Sequence, residues 1–137
     1  MTVAAAEPDG AALFAVELSH GGAGIVWPGD DGLLVHTNHF VHPPPRGEDV
    51  DVVLYPGTLL RRWHLERVLR AGMAPEQALA EHFPAGEPVC NHAEPEDVAW
   101  PERRETLLAV AIDPRAPELR VAAGPPCRAP FEPVPLP

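Results

Sequence analysis

No lysine occurs anywhere in the 137 residues, and the ten basic residues, all arginine, face 20 acidic ones for a net charge of −10. A chain this acidic repels phosphate backbones and anionic lipid heads, so neither nucleic acid nor membrane is an expected partner. Long apolar runs are missing too. The opening MTVAAAEPDGAALFAVELS has no basic n-region, and Glu7, Asp9 and Glu17 break its apolar stretches, which argues against a signal peptide or a membrane span. Only two cysteines are present, Cys90 and Cys127. They make no disulfide framework and read first as small buried thiols of a cytoplasmic protein. There is no HExxH, no paired CxxC and no internal repeat.

What is present fits a single domain over residues 1–137, with an ordinary hydrophobic fraction of 45% and 19 prolines gathered in loops and in an extended tail, 124–137. Leu13 to Leu18, Ala23 to Trp27 and Leu33 to Thr37 read as three strands of a meander, joined by Ser19-His20-Gly21-Gly22 and by Pro28-Gly29-Asp30-Asp31-Gly32. Val50 to Leu54 falls in a loop. Thr58 offers a hydroxyl cap to a helix carrying Leu59, Leu60, Trp63, Val68 and Leu69 and stopped by Gly72. A shorter helix is expected from Pro75 to Phe83, and strands from Thr106 to Asp113 and Glu118 to Ala123 around the turn Asp113-Pro114-Arg115. This order predicts an α+β fold, an antiparallel sheet with two helices on one face.

The chemistry concentrates where the run Leu33, Leu34, Val35 ends, at His36 to Phe40. A carboxamide held at a strand end can donate to the oxygen of a tetrahedral intermediate, which makes Asn38 a candidate oxyanion donor. The bland alternative is an asparagine closing a turn. His39 and Phe40 beside it are the candidate substrate-binding residues. His36, His39 and His42 stand at spacings of three, and alternation along a strand points 39 away from the other two, so a metal cage is disfavoured and neither metal nor cofactor is expected. Cys90 and His92 could share a face of an extended segment, a weak thiol-imidazole signal. Trp27, Trp63 and Trp100 read as core or rim.

The wording GLLVHTNHF, the Arg61 helix, Val89-Cys90-Asn91-His92 and the closing Val121-Ala122-Ala123-Gly124-Pro125-Pro126-Cys127 together resemble the C-terminal part of the acyl-coenzyme A:6-aminopenicillanic acid acyltransferase family. Members are N-terminal-nucleophile (Ntn) hydrolases that act through a cysteine. The resemblance implies part of a four-layer αββα sandwich and an activity on linear amide bonds, by hydrolysis or acyl transfer. It places Asn38 at the family's oxyanion asparagine. It also sets Arg61 near the nucleophile, where a cation favours the thiolate. The family's cysteine sits at a freshly cut N-terminus, whereas Cys90 is internal and the sequence opens with Met1-Thr2. The expectation is therefore a chain inactive alone, with a small amide or acyl substrate and with either a complementing N-terminal fragment or self-association. The alternative from another class is a non-catalytic binding module derived from the same fold; a metal protein built on the histidines is the third.

Overall fold

The computed structural model describes residues 2–7, 10–42, 49–92, 104–113 and 118–135, with the side chains of 2–7 and 10–12 left aside. The chain divides into two compact units, Met1–Arg67 and Val68–Pro137. It is a small mixed α/β structure with two three-stranded antiparallel sheets and three helices among the described residues.

The first sheet has the order β1-β2-β3, from Thr2–Glu7, Gly10–Ser19 and Gly22–Val26. Strand β2 is long enough to serve both neighbours in turn: Gly10 to Ala15 pairs with β1, and Ala15 to Ser19 pairs with β3. The β2–β3 reversal is the expected one. Ser19 pairs with Gly22, and the Ser19 hydroxyl accepts from the Gly21 amide at 3.2 Å. Alternation along β2 buries Ala15 and Glu17 on one face, so a carboxylate occupies a position that the pattern reserves for apolar side chains.

The third strand is not the one the sequence suggests. Leu33–Thr37 joins no ladder, and β1, whose alanine-rich sequence carries little strand signal, takes the place in the sheet. The reason lies in hydrogen bonding. The amides that follow, from Asn38 to His42, find side-chain acceptors instead of a neighbouring strand. Val50–Leu54, expected as loop, is a short helix, α1, because Asp49 caps it by accepting from the Asp51 amide at 3.1 Å.

Helix α2, Gly57–Arg70, is the long helix read from the sequence. Its C-terminus is a Schellman closure: Gly72, at φ +91°, donates to Leu69 and Met73 donates to Val68, each at 3.0 Å. Its start differs from expectation. The Thr58 hydroxyl bonds into the 37–39 segment, and the Thr58 amide is met by the Tyr55 carbonyl at 3.0 Å. Helix α3, Pro75–Leu79, opens on its proline, with the Gln77 side chain accepting from the Ala74 amide, but it ends four residues before Phe83.

The second sheet has the order β4-β5-β6, from Ala109–Ile112, Glu118–Ala122 and Glu132–Pro135. The turn expected at Asp113-Pro114-Arg115 and the residue Trp100 lie outside the described residues. The tail is not extended throughout, since the Pro125 carbonyl accepts from the amides of Arg128 and Ala129 at 2.9 Å and folds it into a turn. The chain then runs back as β6, where Glu132 and Val134 alternate with Pro133 and Pro135 opposite β5. Buried residues are few among those described: Ala15, Glu17, Val26, Val35, His39, Gly57, Thr58 and His64 in the first unit, and Val68, Ala78, Cys90, Ala109 and Ala122 among those of the second.

Candidate functional site

Two buried polar side chains hold the segment that carries Asn38. The Glu17 carboxylate accepts from His36 Nε2 at 2.9 Å and from the amides of Val41 and His42. Burial pushes this carboxyl up, but the Val41 amide, the His36 imidazole and the His42 amide outweigh it and hold the group below its ordinary value. It is an anion at neutral pH, satisfied on both oxygens.

Thr58 holds the middle of the segment. Its hydroxyl oxygen accepts from the amides of Asn38 at 3.0 Å and His39 at 3.3 Å, which uses both lone pairs. The single hydroxyl proton is then shared between His39 Nδ1 and Thr37 Oγ1, each 3.0 Å away, while the Thr37 hydroxyl donates back to the Thr58 carbonyl. Burial, reinforced by the Arg62 cation, keeps the His39 pKa below its ordinary value, so the ring is neutral at pH 7. One residue on, the Phe40 amide donates to the second oxygen of Asp49 at 2.6 Å, which ties the segment to the cap of α1.

Held on both sides, Asn38 projects outward and is exposed. Arg61, one turn into α2, donates from Nη2 to Asn38 Oδ1 at 2.7 Å. The two candidate catalytic residues, 23 positions apart in sequence, therefore meet. A guanidinium has no acceptor, so the contact fixes which end of the carboxamide faces it, and the amide nitrogen, at the other end, makes no hydrogen bond to the described residues.

The candidate substrate residues diverge. His39 lines a shallow depression of about 220 Å³ with Leu59, Arg62, Trp63 and Glu66, whereas Phe40 lines a hollow of about 190 Å³ with Glu17, Gly24 and His42. Asn38 lines neither of these two. The three histidines also part company: His36 goes to Glu17, His39 to the two threonine hydroxyls, and His42 is exposed.

The second unit holds two features the sequence did not reveal. The larger cavity, about 550 Å³, lies between α3 and the β4–β5 hairpin, with Leu79, Val110 and Ile112 in its wall and an Arg120–Glu76 ion pair of 2.5 Å among its lining residues. The other is a cluster of His82, Cys90, His92 and Cys127, whose ligand atoms all lie within 4.8 Å of one another. Both thiols are free. Burial pushes the Cys90 thiol up and, with the Arg128 and His82 charges, pushes the His92 imidazole down. The signal available in the sequence was only the pair Cys90 and His92; nothing in the spacing announces the other two.

Comparison with known proteins adds no relative: no family model, no curated protein and no solved structure matches the chain.

Proposed function

We propose that the first unit is the oxyanion-binding part of an Ntn-type amidohydrolase or acyltransferase, acting on a small linear amide with a cysteine nucleophile that is not among these 137 residues. The observation that carries this reading is the Arg61–Asn38 contact. By taking up Oδ1, the cation orients the carboxamide and draws electron density toward its oxygen, which makes the N–H groups better donors. A donor fixed before the reaction begins stabilises charge without reorganising, and one such donor is worth about 3 kcal/mol of barrier. The Thr58 and Glu17 hydrogen bonds beneath it supply the rigidity this needs.

The same reading gives Arg61 a second task. A guanidinium beside an incoming cysteine favours the thiolate. It also accounts for apolar surface left uncovered: Leu18, Ile25 and Trp27 around the β2–β3 hairpin and Leu59, Leu60 and Trp63 on α2 are exposed. Such surface fits a further layer supplied by a complementing segment or a second copy.

The test mixes this chain with the separately produced, cysteine-bearing N-terminal part of a complete member of the resembled family and follows hydrolysis of a chromogenic acyl amide. Turnover by the mixture, reduced about 100-fold or more by Asn38→Ala, is the expected result. A stable mixture that binds the amide without turning it over favours the non-catalytic module. Turnover that ignores Asn38→Ala removes the oxyanion role.

A further inference from the structure

We infer that His82, Cys90, His92 and Cys127 form a structural zinc site in the second unit. The inference is independent of the amidohydrolase reading, since no residue is shared with it.

The four donor atoms gather within the span of a tetrahedral site, and one distance matches it closely. With zinc about 2.3 Å from sulfur and about 2.0–2.1 Å from nitrogen, tetrahedral angles separate two sulfurs by about 3.8 Å, a sulfur and a nitrogen by about 3.5 Å, and two nitrogens by about 3.3 Å. The Cys90 and Cys127 sulfurs are 3.7 Å apart, Cys127 Sγ is 3.2 Å from His92 Nε2, and the two histidine Nε2 atoms are 2.8 Å apart. The last two are shorter than a bound metal would leave them. Opening these two by about half an ångström or less, and drawing in the wider pairs of a cluster that spans 4.8 Å, would seat the ion.

Among the described residues the side-chain polar contacts of these four groups are with one another. The two imidazoles turn the same nitrogen toward each other with ring centres 5.0 Å apart, and His92 Nδ1 is buried with no hydrogen-bond partner among the described residues. All the polar contacts of that ring are thus made on the cluster side. A sulfur–sulfur separation of 3.7 Å is too long for a disulfide and matches two thiolates on one ion.

The backbone presents the four donors from three braced pieces. The Cys90 amide donates to the Glu81 carbonyl at 2.8 Å, which sets Cys90 beside His82. Between Cys90 and His92, Asn91 exchanges bonds with Thr106, its amide to the hydroxyl and its carbonyl to the Thr106 amide, both at 3.0 Å. Cys127 sits inside the turn closed on the Pro125 carbonyl, entered through Gly124 at φ +121°. A ligand set already in place lowers the ordering entropy of binding.

The donor set selects the metal and the role. Two thiolates and two imidazoles suit zinc over magnesium or calcium, and four protein ligands leave no open position for chemistry, so the ion is structural. Binding converts two thiols to thiolates and releases their two protons. The product, Zn²⁺ with two thiolates and two neutral imidazoles, carries no net charge.

The reduced 137-residue chain should bind one zinc per molecule by elemental analysis, and cobalt in its place should give the visible bands of a tetrahedral thiolate site with a near-ultraviolet sulfur-to-metal transition. Cys127→Ser, at an exposed position, should weaken metal affinity more than about 100-fold, beyond the usual cost of losing a supporting residue. His20→Gln, elsewhere on the surface, should leave it unchanged. Should a ligand variant misfold, chelator titration of the wild-type chain gives the affinity directly, and two protons should be taken up per metal removed. A reduced, folded chain that takes up neither metal, or that binds cobalt only in octahedral form, overturns the assignment.

Discussion

Among the described residues the largest fully buried side chains are Thr58, in the first unit, and Cys90, in the second. Neither is an aliphatic or aromatic group of the kind that usually fills a core. Around Thr58 the chain is organised by hydrogen bonds: a hydroxyl and the Glu17 carboxylate collect backbone amides that no strand collects. Around Cys90 it is organised by sulfur and imidazole groups, the set proposed above to hold zinc. Among the described residues the two units bury few large apolar side chains and are organised differently, one by internal acceptors and the other by a ligand set. Their stabilities should accordingly answer to different reagents.

If so, the largest loss confined to the first unit comes from Glu17→Leu. It removes the acceptor from two amides and an imidazole, at about 1–3 kcal/mol for each stranded group, and should lower unfolding free energy by about 3 kcal/mol or more in urea titrations. The reactivity of the Cys90 thiol, read by a thiol-specific reagent, should stay unchanged. A rise in that reactivity would join the two centres into one.

Thr58→Val comes next. It keeps the shape but strands the amides of Asn38 and His39, for an expected cost of about 2–3 kcal/mol, with hydrogen exchange at 38 and 39 accelerated.

Acid should then probe the first unit without mutation. The Glu17 carboxyl is held below its ordinary 4.5, so its contribution is complete above that value and is lost as pH falls through the folded pKa. His39 has the same sign, because its folded pKa lies below the ordinary 6.5: the neutral ring favours folding above 6.5, and the advantage fades as pH drops toward the folded value. Stability should therefore decline on acidification in two stages. Glu17→Gln should erase the lower one and His39→Asn the upper one, as read from urea midpoints across pH 3 to about 8.

The smallest effect belongs to the exposed carboxamide. Asn38→Ala should change stability by less than about 0.5 kcal/mol, since Asn38 is at the surface. A larger loss would make that contact structural and weaken its catalytic reading.

Local signals were legible where a few neighbouring residues decide the outcome. The Ser19–Gly22 reversal, helix α2 and its Gly72 stop, and the proline opening of α3 could all be read from the sequence. The third strand could not, because Leu33–Thr37 has a strand's composition while its destiny depends on acceptors placed at 17 and 58. Asn38 and Arg61 could each be singled out as candidates, but their contact joins positions 23 apart, across α1 and into the second turn of α2. The Cys–His cluster was hidden by distance: Cys127 reaches Cys90 across 37 residues, and no short spacing marks a ligand set assembled by a turn after β5.

The alternation of proline along β6 has a consequence for association. Glu132 and Val134 spend their amides on β5, and the positions turned the other way are Pro133 and Pro135, which have no amide hydrogen to offer. A foreign strand arriving at that rim meets carbonyls alone and cannot knit a ladder. Accretion of copies onto this sheet is thus barred on the β6 flank, and any growth is confined to the flank formed by β4.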